Sequence, residues 1–312
     1  MLKGLALTPP AIGRIAIGKV VEKNGKRLPE KDDEFTITSQ VQLKDGWVLH
    51  PVDEVLRKDS SAKLRSIPVR LLFGDPDLSL RAKYTLFERT TGRPLCVGDG
   101  ESCRRVTSSG MQSLPCPAPH ACSLAVGSAC KPYGRLHVRI DAGAGTGNEV
   151  GCDELGSFVF RTTGFNSIRT LLARLHYFHA VSGGLLATLP LELRLRGKST
   201  AMSHRAPIYY VDLTTRTGST LAQAMGQAKE LHEARLAAGM DQAALDEAAR
   251  LGLARGDFEE TEEEGAAVVD EFYAQEGEPM DQVSTPSKPS LAEKLHQKSG
   301  SARSSESQGD ST

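Results

Sequence analysis

The chain has 312 residues, 39% of them apolar and only 5% aromatic, and a formal charge of −1. That is enough apolar material for one large domain or two modest ones, and no run approaches the ~20 apolar residues of a membrane span. The near-neutral total hides a segregation: Asp257 to Asp281 holds eleven Asp and Glu with no Lys or Arg, the residues after it carry +1, and residues 1–256 therefore carry +9. A basic body with an acidic segment behind it suits work beside nucleic acid or an acidic partner, and it also lies within ordinary surface variation. Met1–Pro10 has one charge and no apolar core adequate for a signal peptide. A cytoplasmic setting is expected, in which thiols stay reduced.

In chain order, 11–22 alternates as a strand and Asn24-Gly25 behind it signals a hairpin turn. The β-branched run Phe35–Val41 predicts the next strand, and Trp47–Leu56 leaves room for a short helix. Ile67–Phe73 reads as a strand that Pro68 confines to an edge or a strand start. After the turn at Gly74-Asp-Pro-Asp, Leu80–Arg89 alternates again, and Gly134–Asp141 sets Leu136, Val138 and Ile140 against Arg135, His137 and Arg139. The Gly-rich stretch 142–147 lacks a phosphate-binding fingerprint and reads as a linker. Leu155–Arg161 is a strand. A helix capped by Asn166 follows, with Ile168, Leu171, Leu172, Leu175 and Phe178 at helical spacing. His176 and His179 lie three apart on it, without a third ligand, and read as surface or core histidines.

Leu189–Arg196 is the clearest alternation, with leucines opposing Glu192, Arg194 and Arg196. Ala206–Leu213 is the last strand expected. Between them, Gly197-Lys-Ser-Thr resembles the end of a phosphate loop, but its first glycine is missing, Glu192 standing there. Lys198, His204 and Arg205 instead make a basic hairpin tip beside Arg194 and Arg196. These five are the candidate nucleic-acid or partner-binding residues. Thr220-Leu-Ala-Gln223 is a capping box for a helix that Gly239 ends, and Asp241 caps another to about Leu251. The composition of 257–312 predicts disorder, with Val268, Val269, Phe272 and Tyr273 as a short docking motif within it.

Five of the six cysteines fall between Cys96 and Cys130, beside Gly and Pro residues that supply sharp turns. Four thiolates converging from turned loops suit a closed structural zinc site, which leaves no open position for metal catalysis. The expected ligands are Cys103, Cys116, Cys122 and Cys130, with Cys96 as a substitute for Cys103 and His120 as an outside candidate. Unligated thiols or a disulfide are the bland alternatives. The spacing is looser than paired C-x2-C ribbons, so the fourth ligand is not named cleanly. Cys152 stands too far away to serve.

No His-Glu-x-x-His, no Gly-x-Ser-x-Gly and no complete phosphate loop is present. The carboxylates of Lys31-Asp-Asp-Glu34 and Asp153-Glu154 read as solvated faces rather than acid–base pairs. No catalytic residue is expected. The fold class expected is α+β. It comprises a β-rich domain over 1–217, a twisted antiparallel sheet or barrel with an inserted zinc knuckle at 96–130 and one packed helix. A helical extension at 218–256 and the disordered tail follow.

Three motifs, Leu114-Pro-Cys116-Pro, Cys130-Lys-Pro132 and Leu155 to Gly164, are together similar to phage-type recombination directionality factors, the partners of large serine integrases. Relatives of that family are often labelled hydrolase or metal-binding proteins. The resemblance covers roughly 1–215. It implies a non-enzymatic protein that binds an integrase on DNA and switches the preferred direction from integration to excision. A second reading is a single-stranded nucleic-acid binder, using Arg194, Arg196 and Lys198 with Tyr209 and Tyr210 as stacking surfaces. A metal-dependent hydrolase ranks third, because an open ligand set is missing.

Overall fold

The computed structural model describes residues 10–23, 26–43, 46–57, 59, 62–142, 156–199, 201, 205, 207–253, 268, 269 and 272. The first part of the chain forms β1 (Ala11–Lys23), β2 (Lys26–Leu43), β3 (Gly46–Leu49), α1 (Pro51–Arg57), β4 (Ser66–Leu71), α2 (Pro76–Ser79) and β5 (Leu80–Phe87). The cysteine region contributes β6 (Pro94–Gly98), β7 (Ser102–Thr107), β8 (Gly110–Pro115) and α3 (Ala118–Ala121). Then come β9 (Cys130–Ile140), β10 (Ser157–Thr162), α4 (Phe165–Val181), β11 (Leu191–Lys198) and β12 (Ile208–Thr215). Two helices follow, α5 (Leu221–Ala237) and α6 (Gln242–Leu253).

Among the described residues the twelve strands make one branched sheet, and β9 is its hub. One edge of β9 pairs with β10; the other pairs with β5 near its start and with β4 near its end. From β9 one branch runs through β5, β6 and β7 to β8, a second through β4 and β11 to β12, and a third through β10, β1 and β2 to β3. The expected antiparallel arrangement therefore needs one correction, since β1 and β10 are parallel, with Ile15 opposite Phe160. A barrel is not formed by these strands, because each branch ends on a strand with a single neighbour. Branching opens the ring: β9 is 11 residues long and serves two different strands along one edge.

One face of β9 carries Leu136, Val138 and Ile140, all buried, over which α4 lays Leu171 and Leu175. Each such side chain contributes about 1.5–3 kcal/mol by leaving water. Ala224 and Ala228 of α5 enter the same core, whereas α6 packs Ala249 against Phe73 and Leu78. The Thr220–Gln223 capping box is present, and Asp241 accepts the Ala244 amide at 2.9 Å. Gly239 closes α5 with φ of 82°, a left-handed conformation suited to glycine. The cap of α4 differs from expectation: the helix begins at Phe165 behind Gly164. Asn166, already inside it, accepts from Lys198 instead. Among the described residues no helix is long and apolar enough to cross a membrane.

Buried charge pins the periphery. Arg57 of α1 binds Asp53 and Glu34 and donates to the Phe35 carbonyl at 2.7 Å. Asp53 in turn accepts the Ile37 amide at 2.8 Å. Glu34 is therefore buried rather than part of a solvated face, while its neighbours Asp32 and Asp33 do lie at the surface, paired with Lys63. At the end of β9, burial raises the Asp141 carboxyl, but the guanidiniums of Arg216 and Arg70 more than reverse this and hold it below its ordinary value. A depressed carboxyl stabilises the fold above the unfolded pKa near 3.9, and that contribution disappears as pH falls through the lower folded value. Asp141→Asn is expected to lose about 1.5–3 kcal/mol at neutral pH, the range for charged hydrogen bonds. Urea titrations should show the gap closing below about pH 4; a constant gap down to pH 2 would remove the arginines from the account.

Candidate metal centre and basic surfaces

The cysteine stretch leaves β5 and returns into β9, as the flanking alternations indicated, but it is not a looped knuckle. Three short strands, β6 to β8, widen the sheet, and only 116–129 is turn-like. The Gly and Pro residues that suggest loops stand mainly at strand ends, so strands of five or six residues were hidden between them. Cys130 is itself the first residue of β9.

Register places the sulfurs. Cys96 and Cys130 both lie opposite Leu86, one on each side of β5. Cys96 faces Arg105, and Gly98 faces Cys103. Directly opposed residues and residues two apart share a face, so Cys96, Cys103 and Cys130 project to the same side. Cys116 follows β8 on that parity, anchored by its amide to the Glu101 carbonyl at 2.8 Å. The turn from Cys122 onward then leads back to β9.

Gly98 makes the room. A Cβ built there would lie 2.9 Å from the Cys116 sulfur, 2.7 Å from Cys103 Cβ and 2.8 Å from the Ser102 carbonyl. Any larger residue would fill the space in which the sulfurs gather. Burial, then Cys96 and Cys116 nearby, push the Cys103 thiol up to about 11. Burial pushes Cys130 up to about 12, with Cys96, Cys122 and Cys116 adding to it. Each of the five cysteines is thus within electrostatic reach of others in the group. Arg105 sits among them, donating to the Cys103 sulfur at 3.9 Å, and the nearby Cys96 raises its pKa.

The donor type and shared face fit a soft metal, and Arg105 would offset part of the −2 charge of a four-thiolate zinc site. Among the described residues, however, no group of three or more is arranged as a ready coordination set. His120 is exposed at the end of α3. The four expected ligands and Cys96 are therefore brought together without being sorted, and Cys152 lies outside the described residues.

The expected basic hairpin is less free than its sequence suggests. Arg194, Arg196 and Lys198 alternate on one face of β11. Arg194 is held by Glu192 at 2.9 Å, Arg196 reaches Asp212 at 3.4 Å, and Lys198 donates to Asn166 at 2.7 Å. Asp212 also accepts from Arg174 at 3.0 Å. His204 lies outside the described residues, and Arg205 is exposed with φ of 63°. His179 gives its ring nitrogen to the Gly74 carbonyl at 2.9 Å, and His176 faces Asp77, which makes them a helix-packing pair rather than metal ligands.

A second basic surface was not anticipated. Arg81, Arg135 and Arg161 stand directly opposite one another on β5, β9 and β10. Lys83 and Lys131 continue the same face, as does Arg104 on β7. The alternation of each strand was visible; the alignment of three arginines across strands needed the register. Burial and the three arginines drive His137 down to about 3, so its ring is neutral at physiological pH.

No curated protein and no solved structure matches the chain. Residues 12–216 match the family model described as Gp3-like, recombination directionality factor-like, a span that runs from β1 past β12 and includes all five clustered cysteines. Covering about two thirds of the chain, that match makes this protein a member of the recombination directionality factor-like family.

Proposed function

We propose that the chain is a non-enzymatic recombination accessory protein that binds a serine integrase on DNA and sets its preferred direction toward excision. The family match across the entire sheet carries this reading. In it, the cysteine arm holds one structural zinc through Cys103, Cys116, Cys122 and Cys130, or Cys96 in place of Cys103, and works in the cytoplasm where thiols remain reduced. Zinc there supplies folding free energy. The arm also exposes Val106, Met111, Leu124 and Val126, the last 79% accessible, apolar surface of the kind partner interfaces bury. Arg194, Arg196, Lys198, His204 and Arg205 remain the candidate contacts to DNA or integrase on the hairpin.

The test is electrophoretic. Added to an integrase already bound to its attachment-site DNA, the protein should retard the complex further, and it should raise excision while lowering integration in a plasmid recombination assay. A failure to shift the integrase complex, with recombination in both directions unchanged, would overturn the reading. The single-strand-binding alternative draws on Lys198, whose ammonium lies 5.9 Å from the Tyr210 ring centre. It ranks second because Arg194 and Arg196 are engaged by buried carboxylates. Tight binding of single strands without integrase would reverse that order.

A further inference from the structure

A cleft of about 580 Å³ opens where α2, α4 and the turn behind it meet α5 and α6. Small-molecule sites occupy about 300–1,000 Å³. Leu185, Ala187 and Met240 give the cleft an apolar wall, and His176, His179 and His232 also line it. It shares no residue with the cysteine arm or the basic hairpin. Its α5 and α6 side lies beyond the 12–216 family match, so membership of the family does not imply it.

The polar groups of this cleft are unevenly satisfied. Asp75 binds Arg250 at 3.0 Å and accepts the Asp77 amide at 2.9 Å. Asp246 accepts the Gly74 amide at 3.0 Å and Gln242 Nε2 at 2.8 Å. Both carboxylates are engaged, and Arg250 is shared with Glu247. Arg235 of α5 is different. It is half-buried, its one hydrogen bond among the described residues is a long one to the Ala187 carbonyl at 3.4 Å, and none of their carboxylates pairs with it. Burial, then Arg139 and Arg70 nearby, hold its pKa below the ordinary value. Gln242 is the second unmatched group. Its Nε2 also donates to the Leu72 carbonyl at 3.1 Å, which fixes the amide orientation. The Oε1 atom is buried and accepts no hydrogen bond among the described residues, an unfavourable state until a donor meets it.

We infer that this cleft is a binding site for a small organic anion. Arg235 takes its phosphate or carboxylate, the two head groups that a guanidinium grips in a planar fork. An N–H or O–H of the ligand donates to Gln242 Oε1, and Leu185 and Met240 bed its apolar body. One ligand thus supplies both the charge that Arg235 lacks and the donor that Gln242 lacks. The assignment stands apart from the recombination reading.

The experiment is thermal melting of the full chain at constant ionic strength. The probes are adenosine monophosphate, N-acetylphenylalanine and inorganic phosphate, each at about 5 mM. At least one of the two organic anions should raise Tm by about 2 °C or more, and inorganic phosphate by less than half as much. A rise with adenosine monophosphate alone assigns a phosphate head, and a rise with N-acetylphenylalanine alone a carboxylate. Arg235→Gln should abolish the rise. So should Ala243→Trp, which fills the cleft from an exposed position on α6 and keeps Arg235. The second variant keeps the test standing where the first one melts early. Ring signals of His176, His179 and His232 in NMR spectra should move with the active probe, which places it in the cleft. The inference is overturned if neither organic anion raises Tm, if inorganic phosphate does as much, or if the rise survives both substitutions. Because no integrase or DNA is present, failure here leaves the integrase-shift assay to judge the recombination reading by itself.

Discussion

Protein carrying both Cys103→Ser and Cys130→Ser is expected to lose its bound zinc and the order of the arm from β6 to the start of β9. The parent, purified without chelator, should contain about one zinc per chain. The size of the effect follows from the geometry. Cys130 opens the hub strand and Cys103 lies on β7, so the metal would tie the outer strands to the strand on which every branch depends. Small zinc modules derive about 10 kcal/mol or more of apparent folding free energy from the ion. Hydrogen exchange should therefore show protection falling across 94–135, while the core of β9, β10 and α4 retains it.

Gly98→Ala gives an independent arm to the same test. Its Cβ would press on the Ser102 carbonyl and the Cys116 sulfur, so zinc content should fall although every ligand is present. A parent without zinc, or a double serine variant with unchanged protection, would refute the metal assignment. Retained zinc in Cys96→Ser with loss in Cys103→Ser would sort the alternate ligand.

The second large effect lies at Arg57. Its guanidinium is the shared partner of Glu34 and Asp53, whose side chains are only 3% and 2% exposed. Arg57→Met takes the shared cation from two buried carboxylates, and breaking a buried pair in this way costs about 3–5 kcal/mol. The loss should appear in urea denaturation as a lower midpoint with little change of slope. The compensating variant makes the argument sharper. Replacing Arg57, Glu34 and Asp53 together by apolar residues of similar volume should recover much of the stability, because the desolvation penalty goes with the charges. A loss below about 1 kcal/mol in Arg57→Met would mean that the carboxylates are solvated in solution.

Much of this protein is determined by local pattern. The strands around Leu136, Leu191 and Phe158, the α4 face at Leu171 and Leu175 and the Thr220 capping box all follow from side-chain period and end chemistry, which act within a few residues. Val268, Val269 and Phe272, whose apolar character stands out in an acidic run, pack against Phe87 and Tyr133 of the same chain; Tyr273 lies outside the described residues. The remainder depended on which strands become neighbours. Pairing through β9 decided that Cys96 and Cys130 share Leu86, that Glu34 meets Arg57 across 23 positions, and that three arginines from separate strands form one row. Hydrogen-bond register between distant segments carries no signature in either segment alone. Cysteines clustered in sequence announced that thiols would gather in one arm, whereas their register on a shared face was decided only by the fold.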